Sequence, residues 1–286
     1  MIYHAGKNVY MNVTFFSGLV FAGSIAAGFL GSLTGLGGGV VIIPMLTLAF
    51  GVDLRYAIGA SLISVIATSS GAAAAYVRDG YSNVRIGMFL EIATCAGALA
   101  GAALALHVPT SAIAIVFGLM LLYAAVGSSE HPSAESRKDG EDARSLGARL
   151  RMNGGFPGGK YVVERVPLGF AIMVGAGALS GLLGIGSGAV KVLAMDRAMG
   201  LPFKVSTTTS NFMIGVTAAA SAGVYLTRGY IDPGLAMPVM LGVLAGALLG
   251  SRFLMSAPAS LLRNVFRIVL LVLSVEMLYN GSTKRI

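Results

Sequence analysis

The sequence has no tryptophan, one cysteine and three histidines, and only 11% of its 286 residues are charged. Soluble domains carry about 25% charged residues, so this chain has too few to cover a water-facing surface. The single cysteine, Cys95, excludes a disulfide within the chain. The histidines, His4, His107 and His131, are widely separated, and no catalytic triad or metal-ligand group is recognisable. We therefore predict no enzyme, no metal site and no cofactor.

Apolar residues are abundant instead. They make up 56% of the chain, the mean hydropathy is +0.81, and several stretches of about 20 residues carry no charge. The 40 glycines favour close helix packing, because helices in lipid associate through small residues. The pattern predicts an all-α integral membrane protein in contact with lipid. The net charge of +8 comes mostly from Lys and Arg in loops and termini, which set membrane orientation, so we predict no binding of nucleic acid.

The chain contains an internal repeat. Residues 21–81 align without a gap with residues 170–230, at an offset of 149, with 18 identities in 61 positions. The identities include tyrosine and phenylalanine as well as glycine, which favours duplication over shared composition. The first apolar run, from Phe15, is therefore predicted to be a transmembrane helix and not a signal peptide, because its copy begins at Phe170.

Each copy divides into five apolar segments, of which the second is short. The predicted segments are 15–33, 36–50, 56–77, 84–106 and 111–126 in the first copy, and 168–183, 185–199, 205–227, 235–255 and 261–279 in the second. The first two segments of a copy form either a helical hairpin or one broken crossing, so about 8–10 transmembrane segments are predicted. Gly97 and Gly101, and their copies Gly246 and Gly250, are spaced for helix packing.

The predicted domains are a first transmembrane repeat (1–126), a polar linker (127–165) and a second transmembrane repeat (166–286). The linker carries 13 charged residues. Its segment 154–160 fits the first seven positions of a phosphate-binding loop, but Tyr161 stands where Ser or Thr is needed, and no soluble nucleotide domain is available. We do not predict an ATPase.

The distribution of Lys and Arg places the linker in the cytoplasm. Five crossings in each copy would make the copies inverted and leave the C-terminus outside, whereas four would make them parallel and leave it inside. We favour the inverted arrangement. The oligomeric state is not fixed by the sequence, and a homo-oligomer is left open.

Two glycine clusters interrupt the helices. They contain Gly35, Gly37, Gly38 and Gly39 in the first copy and Gly184, Gly186, Ser187 and Gly188 in the second. Glycine at this density breaks a helix, and freed backbone at membrane depth is tolerated only inside protein or beside a cavity. Unwound backbone presents N-H groups that suit an anion, so these residues are candidate substrate ligands. The alternative is that the glycines only permit close packing.

Lys191 follows the second cluster, where the first copy has Ile42. A cation in a transmembrane segment is costly, so Lys191 is a candidate counter-charge for one anion bound off the symmetry axis. The alternative is a lysine that extends to the membrane surface or pairs with Asp196.

Polar residues 206–211 open the third segment of the second copy. Helix capping accounts for one or two of them, and we predict that Ser210 and Asn211 bind substrate, together with Ser61 at the position that matches Ser210. Thr68 and Thr217, another matching pair, are weaker candidates.

Glu91 lies inside the fourth segment and is a candidate site for a coupling proton, because burial favours the neutral form of a carboxyl group. An ion pair with Arg85 at the membrane edge is the alternative.

The first glycine cluster, followed by an apolar run that ends at Pro44, resembles the signature of the sulfite exporter TauE/SafE family, also called toluene sulfonate uptake permeases. Residues 57–62 are similar to that family's helix start, and the second cluster is similar to its second signature, with departures at Ser187 and at residues 191–193. The resemblance implies movement of sulfite, sulfonates or other organosulfur anions across the cytoplasmic membrane.

We therefore expect a multi-pass permease that moves a small anion by alternating access. A passive anion channel and a membrane scaffold without transport are the alternatives from other classes.

Overall fold

A computed structural model describes residues 13–34, 38–78, 82–126, 146–150, 152–156, 159–254 and 259–283. The protein is predominantly helical, as the apolar segments predict. The helices of the first copy are α1 (Val13–Thr34), α2 (Gly39–Pro44), α3 (Leu54–Arg78), α4 (Val84–Ala105) and α5 (Thr110–Val126). The linker contributes α6 (Leu146–Arg149), β1 (Gly154–Phe156) and β2 (Gly159–Tyr161). The second copy has α7 (Val166–Leu183), α8 (Gly188–Leu193), α9 (Phe203–Thr227), α10 (Pro233–Leu254) and α11 (Ala259–Ser282).

The duplication in the sequence is also a duplication in the structure. Helices α2 to α5 begin 149 residues before α8 to α11 in turn, and α2 and α8 each continue into a π-helical turn, Met45–Ala49 and Ala194–Ala198. Individual backbone hydrogen bonds are repeated at the same offset. The amide of Val52 donates to the carbonyl of Leu46, and that of Leu201 donates to Met195, each at 3.0 Å.

The short second segment of each copy turns back along the first. In the second copy, Gly184, Gly186 and Ser187 have φ of +70°, +72° and +44°, a region that glycine enters without steric cost. The chain then returns until the Met199 sulfur packs against Gly169, near the start of α7. In the first copy, Phe50 meets Phe16 near the start of α1, with ring centroids 5.8 Å apart. The helical hairpin is therefore the correct reading of this pair, and not one broken crossing.

The two copies contact each other through pairs of helices, one from each copy. Helix α1 packs on α10, α4 on α7, α3 on α9 and α5 on α11. Small residues make the closest pairs: a Cβ added to Gly101 would lie 2.0 Å from the carbonyl oxygen of Ala178, and one added to Gly246 would lie 2.0 Å from that of Ile25. The predicted packing role of these two glycines is confirmed.

Contacts along α4 show how the helices run. Moving along α4, Gly97 meets Val174 and Gly101 meets Ala178, so the contacts on α7 advance in the same order. The same holds for α9, where Asn83, just before α4, contacts Thr209 and Glu91 contacts Thr217. Helix α4 is thus parallel to both α7 and α9. Likewise, Phe21 of α1 meets Gly242 of α10 and Ile25 meets Gly246, so these two helices are parallel.

The second half of the linker is folded against the bundle. Strands β1 and β2 are antiparallel, with Phe156 paired to Gly159. The side-chain amide of Asn83 donates to the carbonyl of Met152 at 3.0 Å and to the Tyr161 hydroxyl at 2.6 Å. Burial raises the pKa of this hydroxyl above its ordinary value, although the bond from Asn83 opposes the shift. Residues 154–156 and 159–161 thus form a strand pair that the sequence did not predict, whereas a phosphate-binding loop lies between a strand and a helix.

Two helices within the described ranges are long and apolar enough to cross a bilayer by length and composition, Val84–Ala105 and Val166–Leu183. Shorter apolar stretches are Thr14–Leu30, Gly39–Ala49, Leu54–Ser70, Thr110–Tyr123 and Pro233–Leu249. The outer faces of the bundle carry large apolar side chains, such as Met88 (63% exposed) and Ile92 (66%) of α4. Polar side chains such as Ser64 and Thr94 are buried. Apolar outside and polar inside is the arrangement that a lipid environment favours.

Candidate functional site

Lys191 lies in α8, in the second copy of the helical hairpin, and its side chain is 0% exposed. It therefore does not extend to the surface. Its Nζ donates a hydrogen bond of 2.5 Å to the hydroxyl oxygen of Thr217 in α9. Thr217 is itself 0% exposed. The ammonium group is held between two helices of the second copy.

The Thr217 hydroxyl links Lys191 to Glu91. Its oxygen lies 2.5 Å from Oε1 of Glu91, which comes from α4 of the first copy and is 7% exposed. An ammonium can only donate, so the hydroxyl accepts from Lys191 and can offer its one hydrogen to the carboxylate. The ammonium and the carboxylate are no more than 5.0 Å apart, because each lies 2.5 Å from the same oxygen. A buried cation and a buried carboxylate thus share one bridging group.

Two further side chains of α4 complete this cluster. The Thr94 hydroxyl lies 3.4 Å from that of Thr217, and the Cys95 thiol donates to Oε1 of Glu91 at 3.4 Å. The second carboxylate oxygen of Glu91, Oε2, is buried and has no hydrogen-bond partner among the described residues. The polar cluster of Glu91, Thr94, Cys95, Lys191 and Thr217 therefore contains one carboxylate oxygen free to bind a proton or a donor.

The polar cluster has no equivalent at the positions that the 149-residue offset relates to it. At the 149-residue offset, Lys191 is matched by Ile42, Glu91 by Met240 and Thr94 by Val243. Only Thr217 has a polar counterpart, Thr68, whose hydroxyl donates to the carbonyl of Ser64 in its own helix at 3.0 Å. The two charged groups, one from each copy, thus have apolar residues at the equivalent positions of the other copy.

The predicted serine Ser61 contributes to the glycine hairpins. Its hydroxyl donates to the carbonyl of Gly184 at 2.8 Å, so it ties α3 of the first copy to the hairpin of the second. Gly39 lies at the same point, where an added Cβ would be 2.5 Å from the Ser61 hydroxyl and 3.4 Å from the carbonyl oxygen of Gly184. Gly38 is buried next to Val243, whereas Gly35 and Gly37 lie outside the described residues. The structure therefore brings parts of the two glycine clusters together.

The other predicted hydroxyl ligands also bind backbone carbonyls. Ser187 donates to Ala176 at 2.6 Å and Ser210 donates to Gly188 at 3.2 Å. Gly186 and Gly188 pack against Ile214, whose side chain would have to shift to admit a Cβ at either position. Ala176 lies inside α7 and Gly188 begins α8, so these two serines tie the hairpin of the second copy to α7 and to α9.

Two other polar residues at the start of α9 make hydrogen bonds within the protein. The Thr209 hydroxyl accepts from the amide of Asn83 at 3.0 Å, and Ser206 donates to the carbonyl of Leu201 at 3.4 Å. Asn211 is half-buried. The Thr207 hydroxyl is buried without a hydrogen-bond partner in the part of the chain that the structure describes. Seven residues, or two helical turns, separate Ser210 from Thr217, so both face α8.

The sequence did not predict that Glu91 and Lys191 share a site, nor that Thr94 and Cys95 belong to it. A signal existed within α4, because residues three and four positions apart lie on one face of a helix. Among the described residues, no group of three or more His, Cys, Asp or Glu side chains could hold a metal ion.

Proteins with similar sequences are named as membrane transporters. The probable membrane transporter protein YunE of Bacillus subtilis (strain 168) is 28% identical over 271 residues, which cover 92% of this chain and 97% of that protein. YdhB of the same organism is 27% identical, with coverage of 86% and 92%. YfcA of Escherichia coli (strain K12) is 22% identical, with coverage of 98% and 96%. A helical bundle with apolar outer faces and an interior charged cluster agrees with these names, and the class is a membrane transporter.

A family model described as sulfite exporter TauE/SafE matches residues 20–277. The chain belongs to this family, as its glycine clusters predict. No solved structure matches the protein.

Proposed function

We propose that this protein is a permease that moves a small anion, most simply sulfite, a sulfonate or another organosulfur anion, across the cytoplasmic membrane by alternating access. It is a carrier and not an enzyme, and its lipid-embedded bundle passes through the membrane several times. The proposal rests mainly on Lys191, a fully buried cation in the helical hairpin of the second copy, where the first copy has Ile42. A buried cation requires an opposite charge beside it, and an anionic substrate can take the place of Glu91 in that role.

The proposed binding site lies between the hairpins, next to Lys191. Ser210 contacts α8, the helix that carries Lys191, and Ser61 binds the carbonyl of Gly184 in the second glycine cluster. Both serines are therefore placed to meet an anion when the hairpins separate. Asn211 adds an amide, and the glycines add backbone N-H groups. Glu91 is proposed as the residue that binds the coupling proton. Lys191 is fully buried, so an anion from either side of the membrane reaches it only after the helices move. Such a movement fits alternating access.

The inverted arrangement of the copies is part of this proposal. Helices α9 and α10 are joined by five residues, 228–232, so short a connection that we take α10 to run opposite to α9. Since α9 is parallel to α4 and α7, and α10 is parallel to α1, helices α1 and α7 would run in opposite directions. Inverted repeats that place a substrate at their interface are common among secondary transporters.

The transport proposal is tested with the purified full chain in proteoliposomes. Uptake of sulfite, sulfoacetate, taurine and sulfate is measured against protein-free vesicles. We expect saturable uptake of at least one of these anions. If none of them moves, the transport function is wrong and a scaffold becomes the better description.

The role of Lys191 is tested in the same vesicles. Lys191→Ala should abolish uptake, whereas the matched variant Ile42→Ala, at the equivalent position of the first copy, should retain it if it is folded. Unchanged uptake by Lys191→Ala would remove Lys191 from the site without affecting the transport proposal.

The inverted arrangement is tested by a side-specific reporter at the C-terminus. Because five crossings from a cytoplasmic linker end outside, the reporter should be active on the external side only. A cytoplasmic C-terminus contradicts the inverted arrangement.

A further inference from the structure

The polar cluster carries no net charge when Lys191 is protonated and Glu91 is ionised. The two groups share the Thr217 hydroxyl and are no more than 5.0 Å apart, and both are at least nine-tenths buried. In this state the carboxylate of Glu91 is already the counter-charge of Lys191. An incoming anion would therefore meet a cation whose charge is compensated.

We propose that Glu91 is a built-in competitor of the transported anion, so that the anion binds at Lys191 only when Glu91 takes up a proton, and the two cross the membrane together without net charge. This inference rests on the proposed transport function and specifies its coupling. The class of ligand is a monoanion accompanied by one proton.

The argument follows from the charge of each state. The empty site holds one positive and one negative charge, and the site loaded with an anion and a proton holds Lys191, a neutral Glu91 and the anion, which is again neutral overall. A site loaded with only the anion carries one net negative charge, and a site with only the proton carries one net positive charge. Moving an uncompensated charge through a dry protein interior is costly, so only the empty and the fully loaded site should change sides readily.

The geometry of Glu91 fits this exchange. Oε1 accepts from Thr217 and Cys95, whereas Oε2 is buried without a hydrogen-bond partner among the described residues. Oε2 is therefore the oxygen at which a proton can bind without breaking an existing bond. Protonation removes the charge that holds Glu91 to Lys191 through Thr217, and the ammonium can then turn to the anion.

Few other titratable groups face Glu91. Within the helices packed around it, α8 contributes Lys191 and α4 itself contributes Cys95. Helix α7 has no titratable side chain, and α9 has only Lys204 near its first turn and Tyr225, whose hydroxyl donates to the carbonyl of Gly181. Glu91 is thus the one carboxyl group of this cluster, which assigns the coupling proton to it.

The experiment compares wild type with Glu91→Gln, which is neutral at every pH. Uptake of sulfite and of methanesulfonate is measured in proteoliposomes between about pH 5.5 and 8.5. Because binding needs a proton on Glu91 in wild type and none in the variant, the ratio of the wild-type KM to the variant KM should rise with pH over this range, by up to about tenfold per pH unit. The ratio of the two KM values cancels the titration of sulfite itself. A ratio that does not depend on pH would overturn the inference and leave the transport function standing, whereas no uptake of either anion by wild type would refute both.

Thr217→Val and Thr68→Val form a matched pair at equivalent positions of the two copies. Loss of the bridging hydroxyl should weaken the pH dependence of KM in Thr217→Val, whereas Thr68→Val should keep the wild-type dependence. Equal dependence in both variants would contradict the bridging role of Thr217.

A test on wild type alone covers the case that Glu91→Gln does not fold. Near pH 6, where both probes are mainly monoanions, a pH gradient should drive uptake and an imposed potassium diffusion potential should not. Uptake that follows the membrane potential and ignores the pH gradient would overturn the inference.

Discussion

The sharpest prediction concerns the stability of the buried pair formed by Lys191 and Glu91. Replacing Lys191 with Met, an unbranched side chain of similar length, removes the cation and leaves the Glu91 carboxylate buried without compensation. Breaking a buried ion pair on one side costs about 3–5 kcal/mol, because the remaining charge stays desolvated. Thr217 also loses the donor that its oxygen accepts from. We expect the apparent melting temperature of the purified protein to fall on the order of 10 °C.

The double variant Lys191→Met/Glu91→Gln separates this cause from lost packing. Replacing both charges by neutral groups of similar size is often neutral, so the double variant should melt close to wild type and well above Lys191→Met alone. Ile42→Met is the matched control, because Ile42 is equally buried at the equivalent position and such swaps cost less than about 1.5 kcal/mol.

The assay is thermal aggregation in detergent followed by size-exclusion chromatography, near pH 6 and near pH 8. The coupling of these charges would be refuted if Lys191→Met melted within about two degrees of wild type at both pH values. It would also be refuted if the double variant lost as much stability as Lys191→Met and Glu91→Gln lose together.

Two further predictions concern packing and the contact between the copies. Gly177→Ala should cost about 1–3 kcal/mol and lower the melting temperature, because its Cβ would lie 2.1 Å from the carbonyl oxygen of Thr94. Gly175→Ala, in the same helix, places its Cβ in open space and should not be destabilised. Equal melting temperatures for the two variants would contradict the packing account. Ser61→Ala should cost about 1 kcal/mol, since it removes the 2.8 Å bond to Gly184, and a melting temperature equal to wild type would show that this bond does not stabilise the contact between the copies.

The helices were predictable because each membrane helix needs a long run of apolar residues. The third segments were predicted to start at the equivalent positions 56 and 205, and α3 and α9 begin two residues earlier, at Leu54 and Phe203. The choice between a hairpin and a broken crossing was not predictable, because it depends on whether the chain after Gly184 continues or turns back. Contacts such as that between Met199 and Gly169 decide it, and they are tertiary.

The two charged residues of the polar cluster were recognisable in the sequence, whereas their connection and the part played by Thr94 and Cys95 were not. Lys191 and Glu91 each stood out as a charge in an apolar segment, but 126 residues separate Glu91 from Thr217, and only the packing of α4 on α9 brings them together. Hydroxyl groups were harder to interpret. Ser61 and Ser210 were predicted as substrate ligands, and in the structure they donate to the carbonyls of Gly184 and Gly188 in the second glycine cluster, contacts that residue type alone does not reveal.

The proposal that this protein carries an anion by alternating access is tested most directly by counterflow. Proteoliposomes are loaded with unlabelled sulfite or methanesulfonate at high concentration and diluted into a trace of the same anion in labelled form. A carrier exchanges one anion for another, so the label should accumulate transiently above its outside concentration and then decline. Label that only equilibrates would indicate a channel, and label that never enters would indicate no transport, and either result would contradict the proposal.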